Sequence, residues 1–130
     1  MSEPSGNGTS ADGVIDVQVL SRLAEGTGGD ERFVTELIEQ FVADAPGFVS
    51  AARAGLESGD VGEVRRAAHT LKSNAATFGA TRLVETSRAL EDVARRGELF
   101  DGDSLVDAMA SELERVLRGL PEVWRATSSG

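Results

Sequence analysis

Residues 60–79 read DVGEVRRAAHTLKSNAATFG, and the spacing of their apolar side chains decides the fold. Val61, Val64, Ala68, Leu71, Ala75 and Phe78 follow one another at intervals of three, four, three, four and three. That alternation is the heptad seam of a helix packed lengthwise in a bundle. Asp60, with Glu63 three positions on, resembles a capping box, and Gly79 supplies the stop. The seam also fixes what faces away from it. At about 100° per residue, His69 stands one step off Ala68, flanking the core with its ring toward solvent. Arg65 four residues before it, Lys72 three after, Ser73 four after and Ala76 seven after share that face.

Outward from this segment the punctuation stays helical. A short helix from Val17 to Glu25 is capped by Asp16 and ends at Gly26, and the glycine-rich loop beyond leads to a second cap, Asp30. Phe33, Leu37 and Phe41 then recur every four residues, flanked by Val34, Ile38 and Val42, on a helix buried over much of its girth. Pro46 reads as the end of that helix and the first turn of the next, which carries Phe48, Val49, Ala52 and Leu56 and closes at Gly59. After the quoted segment, a helix from about Arg82 to Arg96 places Leu83, Leu90 and Ala94 on one face. A last helix, about Leu105 to Arg118, carries Met109, Leu113, Val116 and Leu117 and is stopped by Gly119 and Pro121. Trp124 is expected to cover the end of the bundle.

Short connections favour antiparallel neighbours, so the expected fold is all-α: an antiparallel up-and-down four-helix bundle with a short extra N-terminal helix. Residues 1–13, rich in Ser, Gly and Asn, read as a disordered leader, 14–125 as the bundle, and 126–130 as a frayed tail.

Composition narrows the function. The chain has 130 residues, 40% of them hydrophobic, and no cysteine, enough for one core without disulfides. Its 22 acids against 13 bases give a net charge of −9, which argues against nucleic acid or an anionic membrane as partner. No apolar run approaches the roughly 20 residues of a membrane span, and a cytoplasmic monomer is expected. One histidine and no cysteine cannot make a thiolate or His-rich zinc site, and no phosphate-binding glycine loop is present. A carboxylate-only metal or acid-base site stays open on composition, but solvated surface is the ordinary fate of such acids, and neither a bound cofactor nor a metal is expected.

His69 is the single histidine and Lys72 the single lysine. A chain that otherwise uses arginine has at that point a compact ammonium rather than a planar guanidinium. Imidazole is substantially unprotonated at neutral pH, and either ring nitrogen can act as a nucleophile. A phosphoryl group placed there would find Lys72 and the Ser73 hydroxyl for its oxygens, and small side chains at 73 and 76 would leave clearance for a second protein. On spacing alone, an ordinary surface histidine among ordinary surface charges accounts for the same pattern.

The string from Ala68 to Ala80, with His69, Leu71-Lys72-Ser73, small residues and then Phe78-Gly79-Ala80, resembles the signature of histidine-containing phosphotransfer (HPt) domains. Ile15-Asp16, Gly29-Asp30 and Leu90-Glu91 extend the likeness over about residues 14–120. The resemblance implies that His69 is the phosphoacceptor and Lys72 a counter-charge for the phosphoryl group, with Ser73, Arg65, Ala76 and Gly79 in support. It implies a carrier rather than an enzyme, with no nucleotide site. A phosphoryl group would pass from the phospho-aspartate of a response-regulator receiver domain to His69, and then to another receiver. The receiver would bring Mg²⁺ and the acidic pocket, and a hybrid histidine kinase is the other partner class implied. Two departures stand out. Ser73 replaces the glycine of many members, and Glu91 lies where some members have glutamine. A carboxylate close to a phosphoryl group would repel it, so the role of Glu91 stays open beside that of a helix-surface residue, and no general-base partner for His69 is identified. The Ala-Thr-Phe-Gly stretch also resembles the phosphorylated domain of chemotaxis histidine kinases, which leaves direct phosphorylation by an ATP-dependent kinase open beside the relay. A non-catalytic helical adaptor is the third reading.

Overall fold

Aspartates start three of the helices, because each carboxylate satisfies an amide that the first turn leaves without a partner. Asp16 accepts from the Gln18 amide at 3.0 Å, Asp30 from Phe33 at 3.1 Å and Asp60 from Glu63 at 3.1 Å. The computed structural model describes residues 13–129. Over that range the chain forms α1 (Val17–Gly26), α2 (Glu31–Ser58), α3 (Val61–Thr77), α4 (Thr81–Arg95) and α5 (Gly102–Ser129). The leader read from composition lies outside the described residues apart from Gly13.

The four long helices close a ring. Helix α3 packs between α2 and α4, α5 packs on α4, and α5 returns to α2. Sequential neighbours joined by short turns make this the up-and-down bundle expected, and α1 lies against α2, α3 and α5 at one end. The α3 seam is buried from its second residue on, with Val64, Ala68, Leu71 and Ala75 at 0% exposure and Phe78 at 4%, and Val61 is partly buried at its start. The Phe78 ring meets Phe41 of α2 in a tilted pair with centroids 5.3 Å apart.

Four expectations are corrected. Pro46 does not end a helix; α2 runs through it for 28 residues. Its ring is exposed, and the missing N–H removes the bond that an amide at 46 would donate to the Val42 carbonyl. The buried stripe Val34, Ile38, Phe41, Ala45, Ala52 and Gly55 continues on both sides of it, and packing against α3 and α5 overrides the local cost. Gly119 and Pro121 likewise fail to stop α5, because Val106, Met109, Leu113, Val116, Leu120 and Trp124 form one unbroken buried seam. That helix also continues through residues 126–129, which composition had marked as a frayed tail. Finally, the α2 stripe is centred on Val34 and Ile38, and Phe33 is turned outward at 45% exposure. Trp124 does close the bundle's end: it is 5% exposed, and its indole N–H donates to the Thr35 hydroxyl at 2.8 Å.

Candidate functional site

Burying Ala68 and Leu71 rotates His69 out of the core, and its side chain is 60% exposed. The ring is nevertheless held. Helix α4 buries Leu83, Ser87, Leu90, Glu91 and Ala94, so the stripe that faces α3 contains a carboxylate. Glu91, with a side chain only 8% exposed, lies between two partners from α3. Its Oε2 is 2.7 Å from Nδ1 of His69, and its Oε1 accepts from Nζ of Lys72 at 2.6 Å.

This geometry sets the chemistry of the ring. An ionised carboxylate only accepts hydrogen bonds, so Nδ1 carries the proton and Nε2 keeps its lone pair on the open side. Burial works to raise the pKa of Glu91, but hydrogen bonds from Lys72 and His69, with their charges, override it and hold the carboxyl below its ordinary range. The acid is thus held in its ionised form. Arg95 adds a weaker outer contact, with its guanidinium 4.0 Å from Glu91 Oε2 and 3.1 Å from Asp92.

One part of the sequence reading changes here. Glu91 is no surface residue; it is the partner of His69 that the sequence reading did not identify. Lys72, expected as a counter-charge for the phosphoryl group, has a side chain 24% exposed and its ammonium engaged by Glu91. The remaining residues separate. Arg65, Arg66, His69, Thr70 and Glu91 line a shallow cleft of about 350 Å³. Ser73 and Ala76 are exposed farther along the same face of α3. Gly79 lies ten residues from His69, roughly 15 Å along the axis, and takes no part in the site. Its role is in the fold. It adopts φ +76°, its carbonyl accepts from the Asp16 amide at 2.8 Å, and a Cβ there would come within 2.7 Å of the Asp16 carbonyl oxygen. The turn after α3 is thereby locked to the start of α1. Arg66 and Thr70 were not singled out by the sequence, although both fall within a turn of His69.

The Hpt domain family model matches residues 36–119, which spans α3, α4 and their flanks. The chain belongs to the Hpt domain family. A crystal structure of histidine-containing phosphotransfer protein B (HptB) from Pseudomonas aeruginosa PAO1 superposes with a TM-score of 0.80 at 30% identity, covering 90% of this chain and 98% of that one. No curated protein matches the chain at a significant level. As an Hpt domain protein it is a histidine phosphotransfer intermediate of phosphorelays. Such proteins are phosphocarriers rather than classical enzymes, and they work with receiver domains and histidine kinases. No helix of the described residues is long and apolar enough to cross a membrane, and no three His, Cys, Asp or Glu side chains among them are grouped to hold a metal ion.

Proposed function

We propose that Nε2 of His69 is the phosphoacceptor, and that it takes the group from a receiver's aspartyl phosphate and returns it to an aspartate of another receiver. The observation that carries this reading is the 2.7 Å contact of Nδ1 with Glu91 on a ring otherwise open to solvent. In the forward step the Nε2 lone pair attacks phosphorus and a P–N bond forms. The P–O bond to the aspartate breaks, and the aspartate leaves as carboxylate with the bonding pair. No proton has to leave Nε2, and the Nδ1 proton stays in its bond to Glu91. The positive charge that grows on the ring faces an ionised carboxylate already in place, with no reorganisation needed at the moment of transfer. In the return step the P–N bond breaks and the pair goes back to Nε2.

Phosphoryl transfer needs in-line positioning and charge stabilisation more than covalent machinery. On this reading the receiver supplies the acidic pocket and Mg²⁺, and this chain supplies a rigid nucleophile. It acts as a cytoplasmic monomer with no cofactor of its own. The test is incubation with phosphorylated receivers and, in parallel, with ATP-charged histidine kinase cores. Mass spectrometry then localises the acid-labile phosphoryl group. We expect it on His69 in the receiver arm, with complete loss in His69→Gln. Label from kinase cores alone replaces the relay with direct phosphorylation, and label on any other residue overturns the assignment of His69.

A further inference from the structure

We infer that Ser87 is a positioning residue whose hydroxyl is held in reserve for Glu91: it replaces the Lys72 ammonium on Oε1 when that ammonium turns to a phosphoryl group on His69. This rests on the reading of His69 as phosphoacceptor, with Lys72 as counter-charge, and names the group that keeps the buried carboxylate paired once the phosphoryl group arrives.

Ser87 is the one hydroxyl in the stripe that α4 buries. It is 0% exposed, and its oxygen has no hydrogen-bond partner among the described residues. A buried hydroxyl left unpaired costs stability that alanine, a better helix former, would not. A serine inside a helix can return its proton to the carbonyl one turn back, here that of Leu83. That carbonyl is already used twice, by the Ser87 amide within the helix and by the Thr86 hydroxyl at 3.2 Å. Behind Ser87 the local acceptor is full; ahead of it stands Glu91.

Glu91 lies one turn after Ser87 on the same buried face, where residues four apart have Cβ atoms about 5–6 Å from each other. Side chains on a helix lean toward its N-terminus, so the Glu91 carboxylate reaches back over the turn that holds Ser87. In the unmodified protein both its oxygens are engaged, Oε2 with His69 Nδ1 at 2.7 Å and Oε1 with Lys72 Nζ at 2.6 Å. The same lean carries Lys72 of α3 toward His69. A phosphoryl group on Nε2, with about two negative charges, therefore competes with Glu91 for one ammonium. The carboxylate is only 8% exposed, and loss of Lys72 would leave Oε1 buried and unpaired, which is strongly unfavourable. Rotation of the Ser87 side chain supplies a donor in its place. Glu91 then keeps two donors, and its bond to Nδ1 continues to fix the ring.

Four proteins test the exchange: wild type, Ser87→Ala, Lys72→Met and the double variant. Lys72→Met empties Oε1 with no phosphoryl group present, and ¹³C NMR follows the titration of the Glu91 carboxyl. In the wild-type background, Ser87→Ala should leave that titration in place and should not lower Tm, since it removes an unpaired hydroxyl. In the Lys72→Met background it should raise the titration by about one unit, because a hydrogen bond to the ionised form is lost. The other charges around Glu91 are His69, Arg95 and, beside Arg95, Asp92, and both backgrounds keep them. A purely structural role for Ser87 would therefore shift both titrations or neither. Equal shifts, or none in Lys72→Met, overturn the inference and leave the phosphoacceptor assignment intact. Wild type and Ser87→Ala are then loaded with phosphoramidate, from which ammonia leaves as the P–N bond to Nε2 forms, and mass spectrometry verifies His69. Ser87→Ala should lower the Tm of the loaded protein although it does not lower that of the unloaded one. The same order of Tm in both states overturns the inference by detaching Ser87 from the phosphoryl group. Wild type with no phosphoryl group on His69 overturns the phosphoacceptor reading instead.

Discussion

Glu91 presents two acceptor oxygens, and α3 occupies both. Replacing it with glutamine keeps the shape and removes the charge. The amide can then turn its NH₂ toward Nδ1, which would favour the tautomer whose proton blocks Nε2. A hydrogen bond to a charged group contributes about 1.5–3 kcal/mol, so Glu91→Gln should slow phosphoryl transfer by about 10–100-fold, with tenfold per ~1.4 kcal/mol. ¹⁵N NMR should show a mixed tautomer, and an unchanged spectrum with unchanged rate would remove Glu91 from the mechanism. Stability gives an independent check. The folded pKa of Glu91 lies below its unfolded value, so its contribution is complete above that value, about 4.3, and is lost as pH falls through the folded one. The difference in Tm between wild type and Glu91→Gln should therefore be largest near neutrality and shrink below about pH 4. His69 was legible in the sequence because a seam fixes its own rim. Glu91 was not, because charged residues default to solvent. The signal lay in its position beside Leu90 on the Leu83, Ser87, Ala94 stripe.

At the scale of the element, two prolines set a local rule against a longer one. A helix interior disfavours proline by about 3 kcal/mol relative to alanine, which is why both positions read as ends. Yet the apolar period passes through each without a change of phase, and that continuity is what the folded chain follows. Elements were thus legible where local and long-range signals agreed, as at Asp60 and Gly79. They were misread where one proline outweighed five or six seam residues. If α2 is continuous for the reason given, Pro46→Ala restores an amide to a helix that already exists there. It should raise stability, by up to about 3 kcal/mol in denaturant unfolding. A loss of stability would mean that proline shapes α2 in a way packing needs, through a bend the alanine helix cannot reproduce.

The whole molecule is an anion of net charge −9, and four of its 13 bases stand at or beside the His69 cleft. Arg65 and Arg66 border the cleft, Lys72 stands behind it and Arg95 flanks it from α4. The partner proposed here brings an acidic pocket, so two electrostatic effects oppose each other at different ranges. Repulsion between the net charges is long-range, and attraction between the cationic cleft and the pocket acts near contact. Salt separates them, because the Debye length falls from about 30 Å at 0.01 M to about 8 Å at 0.15 M and about 3 Å at 1 M. Between the first two concentrations, screening removes repulsion across the molecule and leaves much of the contact attraction. Toward 1 M it removes the attraction too. The second-order rate of transfer from a phosphorylated receiver should therefore rise with salt, pass through a maximum near about 0.15 M and then fall. In Arg65→Gln/Arg66→Gln the falling limb should flatten while the rising limb remains, since the net charge becomes more negative and the local attraction is lost. Stopped-flow measurement across this range decides it: a monotonic fall in wild type would mean that encounter senses only the cleft, and a monotonic rise that the cleft contributes nothing to docking.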